Sequence, residues 1–195
     1  EEAKNVLEKL FARDKQEDEN VGLILGGVYT TMENESQAQQ TYKKLMIMFP
    51  KSEEACVFSA KSLATDKKFD EANRLLDSCQ KNSKGKAIFA YYRGKIALVQ
   101  EKREAAIKNF QMALKVDKTY YQAVMGLGLL REEKEDFKGA ATLYEKFIKD
   151  NPDNYTVLSR LVQVMFAAEL FDKVLPYAEK LAGIDPGDLN LKIRL

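Results

Sequence analysis

The sequence predicts an all-α protein built from consecutive antiparallel helical hairpins. Hydrophobic residues make up 45% and charged residues 31% of the 195 residues, with only 4 Pro and 10 Gly. This composition suits amphipathic helices better than a disordered chain or a β-sandwich. Pro50, Pro152 and Pro186 are separated by 102 and 34 residues, which are three periods and one period of 34. A repeat of this length indicates a tandem array of helical units.

One register divides the sequence into units of 34 residues with no insertion. Each unit reads as an apolar-periodic helix, a short polar turn, a second apolar-periodic helix and a polar link, which predicts a helical hairpin. We expect a single array over residues 1–195, with partial units at 1–18 and 189–195 that belong to a longer array. The five complete units are residues 19–52, 53–86, 87–120, 121–154 and 155–188.

Small residues recur at two positions of the repeat. A small residue on each of two facing helices lets the backbones approach closely, so we expect these residues to form the contact inside each hairpin. The eighth position of successive units holds Gly26, Ala60, Gly94, Gly128 and Val162. The twentieth position holds Ala38, Ala72, Ala106, Ala140 and Val174.

The first unit carries Leu25, Gly26, Tyr29, Ala38, Tyr42 and Pro50 at offsets that resemble the tetratricopeptide repeat. The later units repeat parts of this pattern, and the resemblance covers residues 19–188. It implies a right-handed superhelical stack in which the first helix of each hairpin lines a concave groove. It also implies a non-enzymatic scaffold that binds a protein or a peptide.

The resemblance further implies which side chains face the groove. Their mixture of aromatic, apolar and polar groups predicts an apolar or amphipathic segment as the partner. The alternative for each of these residues is packing against the neighbouring hairpin. The lysine and asparagine clamp that some family members use for chaperone C-termini is absent from the expected positions, which hold Leu23 and Gly27. The predicted groove residues are Leu23, Val57, Phe58, Lys61, Tyr91, Tyr92, Lys95, Gln122, Met125, Arg160, Gln163 and Phe166.

The composition argues against catalysis and metal binding. The sequence has no His, which excludes His-based hydrolase triads and His-based zinc sites. The acidic clusters at 17–19 and 132–136 lie at predicted helix starts or turns, where capping and the helix dipole explain them. We therefore expect no enzyme, no catalytic or metal site and no cofactor.

The charge balance gives no general attraction to nucleic acid or to an anionic membrane. The chain carries 31 Lys and Arg against 30 Asp and Glu, for a net charge of +1. Residues 53–120 are mildly basic, with 14 basic and 9 acidic groups, and a solvated face is the simpler explanation. We expect no nucleic-acid partner and no membrane span. The compartment stays open between the cytoplasm and, for an exported bacterial protein, the periplasm.

Two features leave alternatives open. Cys56 and Cys79 both turn toward the interior of one predicted hairpin, so we expect buried free thiols, with a disulfide between the helices as the alternative in an exported protein. The leading functional hypothesis is a scaffold that binds a protein segment in its groove. The alternative is the recognition or assembly arm of a larger protein, such as an enzyme or a cell-envelope secretion component.

Overall fold

The computed structural model describes residues 2–12, 18–82 and 86–184, and over these ranges the protein is helical with no strand. This confirms the all-α class. Residues 189–195, predicted to begin a further hairpin, lie outside the described ranges. The helices are α1 Glu2–Ala12, α2 Glu19–Thr31, α3 Glu35–Met48, α4 Glu53–Thr65, α5 Phe69–Asn82, α6 Ala87–Val99, α7 Arg103–Val116, α8 Tyr121–Glu132, α9 Phe137–Asp150, α10 Tyr155–Ala167 and α11 Phe171–Ile184.

The chain divides into two compact units, residues 1–102 with helices α1 to α6 and residues 103–195 with α7 to α11. In the N-terminal unit, α2 packs on α3 and α4 packs on α5, and the first helices α2, α4 and α6 lie side by side. In the C-terminal unit, α8 packs on α9, α10 packs on α11, and α8 also contacts α10. Within each unit the helices therefore form consecutive hairpins. A single array over the whole chain stays a prediction.

Local sequence signals explain where the helices begin. The first helices α2, α4, α6, α8 and α10 start 34 residues apart. Several starts carry a side-chain cap, in which an Asp, Asn or Ser oxygen accepts a hydrogen bond from a backbone N–H of the first turn. Asn34, Ser52, Asp136 and Asn154 each cap the N–H three residues further on, at distances of 2.9 to 3.3 Å.

The turn inside each hairpin repeats one geometry without glycine. Just after α2, the Asn34 N–H donates to the Tyr29 carbonyl and the Glu33 N–H donates to the Thr30 carbonyl. This pair of hydrogen bonds is the Schellman motif, and its C′ residue is left-handed. The same pair of bonds closes the other four turns. The left-handed residues are Glu33, Lys67, Glu101, Glu135 and Glu169, with φ of 58 to 61°.

Aromatic rings of second helices fill the space above two repeat glycines. A Cβ at Gly26 would lie 2.4 Å from the Tyr42 ring, and a Cβ at Gly128 would lie 2.1 Å from Tyr144. The nearest atoms to each glycine thus belong to an aromatic residue, and the glycine makes room for the ring. Tyr42 and Tyr144 are 2% and 0% exposed, so these contacts are part of the core of each unit.

A disulfide joins Cys56 of α4 to Cys79 of α5, so the expectation of free thiols is wrong. The two helices face each other across one hairpin, which places the two Cα atoms 6.5 Å apart. This separation lies within the range that a disulfide spans. The second hairpin is therefore covalently closed.

Candidate functional site

An open groove of about 690 Å³ lies between α4 and α6 in the N-terminal unit. Ala64 and Ile96 line it but are almost fully buried, so its apolar surface comes mainly from the half-buried Phe69, Tyr91 and Tyr92 and the exposed Val99. Tyr91 and Tyr92 meet edge to face, with ring centroids 5.4 Å apart. The α4–α6 groove is lined by Lys61, Ala64, Thr65, Lys67, Phe69, Tyr91, Tyr92, Lys95, Ile96 and Val99.

The rim of the α4–α6 groove is basic. Lys61, Lys67 and Lys95 are exposed and line the groove, and no carboxylate is among its described lining residues. None of these three ammonium groups forms an ion pair with a carboxylate in the described ranges. The groove therefore combines an apolar floor with a local positive charge that the described residues do not neutralise.

A smaller cleft of about 230 Å³ lies beside the groove, between α2 and α4. Lys61 and Thr65 line both cavities, so they form the ridge between them. Five of its lining residues carry a hydroxyl group, and one, Glu35, carries a carboxylate. The α2–α4 cleft is lined by Gly27, Thr30, Thr31, Glu35, Tyr42, Phe58, Lys61, Ser62 and Thr65.

The phenols near these cavities are neutral around pH 7, and burial raises their pKa further above that pH. Burial is the main cause that raises the pKa of Tyr92 above its usual value, with a smaller contribution from Tyr42. Burial also raises the pKa of Tyr42, although a hydrogen bond with Thr30 acts in the opposite direction. Both phenols are thus protonated around neutral pH, and the lysines supply the charge of the groove.

The other predicted residues of the N-terminal unit do not line the α4–α6 groove. Val57 is only 1% exposed and belongs to the core formed with Leu76 and Phe89, so it offers no surface to a ligand. Leu23 is half-buried against the core around Leu25. Phe58 stacks on Tyr42 with ring centroids 5.6 Å apart, and only part of it reaches the α2–α4 cleft. Sequence position alone did not separate these residues from the lining residues.

In the C-terminal unit, the predicted residue Arg160 is held in a hydrogen-bond network. Its Nη2 donates to Glu132 Oε2 at 2.5 Å, and its Nε donates to Glu132 Oε1 at 3.2 Å. The Tyr144 hydroxyl donates to the same Oε1 at 2.8 Å. Arg160 Nη1 also donates to Gln163 at 3.0 Å. The carboxylate neutralises the guanidinium, and the network ties α8, α9 and α10 together.

Tyr144 and Arg160 show the electrostatic effect of this network. Burial is the largest cause that raises the pKa of the Tyr144 phenol, and its hydrogen bond to Glu132 raises the pKa further. The hydrogen bond to Glu132 is also the main cause that raises the pKa of Arg160. Both groups therefore keep their protons more firmly in the folded protein than in the unfolded chain.

The remaining predicted residues of this unit do not gather around a described cavity. Met125 and Phe166 are half-buried and pack against the core around Leu161. Gln122 is half-buried at the start of α8. The structure therefore brings Lys61, Tyr91, Tyr92 and Lys95 together in one groove, while the C-terminal members of the predicted set lie apart from it in the chain.

The prediction missed Lys67, Phe69 and Val99 in the α4–α6 groove. Lys67 lies in the turn of its hairpin, at the fifteenth position of its unit, where the other four units carry Glu. This exception in the repeat was a readable signal. Val99 is 62% exposed, and its role depends on the distance between helices, which the sequence does not give.

The described residues contain no cluster of acidic or Cys side chains that could hold a metal ion. Over the same ranges, no helix is both long enough and apolar enough to cross a membrane.

Hairpins with a regular 34-residue spacing and a groove beside their first helices define a helical repeat protein. The sequence pattern of the tetratricopeptide repeat matches residues 91–155 and 125–188, which together span 98 of the 195 residues. The chain belongs to the tetratricopeptide repeat family. No curated protein sequence matches the chain.

Solved structures of tetratricopeptide repeat proteins have the same fold. Yeast Tom70 superposes with a TM-score of 0.76 at 18% identity, over 97% of this chain and 40% of that one. TTC0263, a thermophilic protein of Thermus thermophilus, has a TM-score of 0.61 at 16% identity, over 91% of this chain and 96% of that one. YrrB, described as having an unusual peptide-binding site, has a TM-score of 0.52 at 15% identity, over 98% and 97%.

Membership of the family indicates a general role. Tetratricopeptide repeat proteins are generally non-enzymatic scaffolds for protein interaction, and the family assignment supports this role for the chain.

Proposed function

We propose that this protein is an interaction scaffold whose α4–α6 groove binds a protein segment with an apolar side chain flanked by carboxylates. The observation that carries the proposal is the set of three lysines around an apolar floor. No ion pair to a described carboxylate satisfies Lys61, Lys67 or Lys95. A segment with acidic residues would complement this charge, and its apolar side chain would cover Val99 and the two tyrosines.

The arrangement of charge along the repeat supports the same partner. Lys61 and Lys95 occupy the ninth position of successive units, on neighbouring helices α4 and α6. Lys67 adds a third ammonium from the turn at the end of α4. Carboxylates spaced along one bound segment could meet all three, which adds an acidic preference to the amphipathic partner that the sequence predicts.

Binding to exposed lysines should depend on salt, because the Debye length is only about 10 Å at 0.1 M ionic strength. We would use three fluorescent twelve-residue peptides with the same Leu and Phe residues and with Glu, Gln or Lys at all other positions. Fluorescence anisotropy should give the tightest binding for the Glu peptide and the weakest for the Lys peptide. The preference should shrink between 50 and 300 mM salt.

The lysines can be tested with a charge-matched control. The variant Lys61→Gln/Lys67→Gln/Lys95→Gln should bind the Glu peptide at least tenfold more weakly. The control Lys108→Gln/Lys115→Gln/Lys146→Gln removes three exposed lysines of α7 and α9 that form no ion pair in the described ranges. Equal weakening in both variants, or equal affinity for the Glu and Gln peptides, would overturn the proposal.

The apolar floor needs its own test. Val99 lies on the groove and is 62% exposed, whereas Val116 is 40% exposed at the end of α7 outside the groove. Both residues can therefore be changed with little loss of core packing. Val99→Glu should weaken binding of the Glu peptide by charge repulsion and lost apolar contact, and Val116→Glu should leave it within about twofold. Circular dichroism of each variant would check that the helices are retained.

A second candidate is that the array is the recognition or assembly arm of a larger protein. The observation that favours it is the partial coverage of yeast Tom70, in which an array like this one makes up 40% of the chain. Both proposed functions use the same groove. They differ in whether the array is part of a larger protein with a further domain. Binding of the Glu peptide would be expected in both, so capture of a catalytic or envelope-bound neighbour by cross-linking in cells would distinguish them.

A further inference from the structure

Helix α2 contains one glycine that its own packing does not explain. A Cβ at Gly22 would lie 2.5 Å from Leu45 and Phe11, and a Cβ at Gly26 would lie 2.4 Å from Tyr42. These two glycines make room for side chains of the same unit. A Cβ at Gly27 would meet no heavy atom within 4 Å. Because glycine is a poor helix former, Gly27 lowers the stability of α2 with no packing gain in the described unit.

Gly27 lies in a row that runs across the N-terminal unit. It occupies the ninth position of its repeat, and Lys61 and Lys95 occupy the ninth position of the next two. Gly27 lines the α2–α4 cleft, Lys61 lines both the cleft and the groove, and Lys95 lines the groove. A segment that crosses the first helices in this direction would pass from Lys95 over Lys61 to Gly27.

The α2–α4 cleft is rich in hydrogen-bond acceptors. The Thr30 and Thr31 hydroxyls donate to the carbonyls of Gly26 and Gly27, each at 3.0 Å. The Thr65 hydroxyl donates in the same way to its own helix at 3.2 Å. The Thr30 hydroxyl also has a hydrogen bond with Tyr42, whereas the Thr31 and Thr65 oxygens, with their protons engaged, can still accept hydrogen bonds. The cleft suits a group that presents N–H donors.

We infer that the cleft is a second subsite, in which the main chain of the bound segment crosses α2 directly over Gly27. The inference rests on the function proposed for the α4–α6 groove. Carboxylates of the segment lie over Lys61 and Lys95, and its peptide N–H groups meet the threonine oxygens. A side chain at position 27 would hold the main chain away from the helix, which is the reason for glycine at this position.

Gly183 provides a matched control. It lies in α11 of the C-terminal unit, and a Cβ there would also meet no heavy atom within 4 Å. Gly27→Ala and Gly183→Ala should each leave the melting temperature unchanged or raise it by roughly 1 to 4 °C, because alanine favours the helix. A fall after Gly27→Ala alone would show a structural role for Gly27 and overturn the inference.

Peptide binding should respond to substitution of Gly27 but not to substitution of Gly183. Gly27→Leu should weaken binding of the twelve-residue Glu peptide at least tenfold, and Gly183→Leu should change its affinity by less than twofold. A five-residue Glu peptide is too short to fill both cavities, so Gly27→Leu should lower its affinity less than threefold. A series of twelve-residue Glu peptides, each N-methylated at one peptide bond, would locate the contact. At least one of these methylations should weaken binding to the wild-type protein but not to Gly27→Leu.

The outcomes distinguish the two proposals. If wild type binds the Glu peptide through the three lysines and Gly27→Leu binds it equally well, the second subsite is wrong and the groove proposal stands. If wild type shows no preference for the Glu peptide, the groove proposal fails, and the subsite that depends on it fails with it. If every N-methylated peptide loses as much affinity in Gly27→Leu as in wild type, no main-chain contact exists at Gly27.

Discussion

The two units use the same three repeat positions for different chemistry. In the N-terminal unit, the twelfth, twenty-fourth and following sixth positions hold Thr30, Tyr42 and Phe58, and the two rings stack. In the C-terminal unit the corresponding positions are those of Glu132, Tyr144 and Arg160, and they form a charged hydrogen-bond network. The three residues in the N-terminal unit carry no charge of their own, whereas in the C-terminal unit Glu132 and Arg160 form an ion pair with each other.

This difference indicates where recognition is possible. A cation that already has a carboxylate partner gains little from a ligand, because the ligand must compete with the existing pair. Arg160 is in that position, while Lys61, Lys67 and Lys95 are not paired within the described ranges. We therefore expect the binding surface in the N-terminal unit, while the same repeat positions stabilise the C-terminal unit internally.

The largest expected effect concerns the disulfide, which lies in the N-terminal unit. Replacing Cys56 and Cys79 together with Ala removes a cross-link between residues 23 apart, and the chain-entropy estimate for such a loop is about 3 kcal/mol. Urea unfolding followed by hydrogen exchange should show the loss in α4 and α5, with α8 to α10 much less affected. Addition of a reductant to wild type should reproduce the effect. An equal loss of protection in both units would contradict the comparison.

A smaller loss should follow from removing the acid at the centre of the charged hydrogen-bond network. Glu132→Ala leaves a partly buried guanidinium and a buried phenol without their acceptor, which should cost about 2 kcal/mol. Thr30→Ala, at the same repeat position, should cost less than about 1 kcal/mol because no charge loses its partner. Chemical unfolding of both variants would test this, and a larger loss for Thr30→Ala would contradict it.

The phenol of Tyr144 should make stability depend on alkaline pH. The folded protein raises its pKa above the usual value near 10, so the unfolded chain releases the proton first. The free energy of unfolding should therefore be maintained below pH 10 and should fall as pH rises further. Tyr144→Phe should cost about 1 kcal/mol at neutral pH for the lost hydrogen bond. Its unfolding free energy should fall less steeply above pH 10, and an unchanged slope would exclude this role.

The smallest expected effect on stability concerns the left-handed turn residues. Lys67→Gly and Glu135→Gly should each stabilise the protein by about 0.5 to 1 kcal/mol, because glycine adopts positive φ without a Cβ penalty. Only Lys67→Gly should also weaken binding of the Glu peptide, by about two- to fivefold, since Lys67 lines the groove. Thermal unfolding and anisotropy on the same samples would test both, and weaker binding by Glu135→Gly would contradict the assignment.

The repeat made much of the fold readable from sequence. Proline spacing and small residues identify the hairpins because every unit needs the same close contacts. The turn geometry was harder to predict, because Glu or Lys occupies the left-handed position where glycine is usually found. The sequence favours free thiols for Cys56 and Cys79, and this expectation is wrong, because the sequence does not give the spacing of α4 and α5 that brings the two residues within bonding distance.

The candidate site was only partly readable for a related reason. Helix periodicity says which way a side chain leaves its own helix, but not how far the next helix lies from it. Val57 is predicted to line the groove, but it is buried in the core with Leu76 of α5 and Phe89 of α6. Arg160 was assigned as a groove residue, and its partner Glu132 lies 28 residues earlier, one hairpin away. An ion pair between two hairpins forms only if both side chains have the right length and direction, and the sequence does not give this geometry.

The covalent closure of the second hairpin also has a mechanical consequence. Residues between Cys56 and Cys79 cannot be drawn out when the chain is pulled from its ends, since force passes through the sulfur atoms. At about 3.4 Å for each extended residue, the oxidised chain would be roughly 70 Å shorter at full extension than the reduced chain. Under tension, α4, which forms one wall of the groove, would thus stay linked to α5 even after both helices had unfolded.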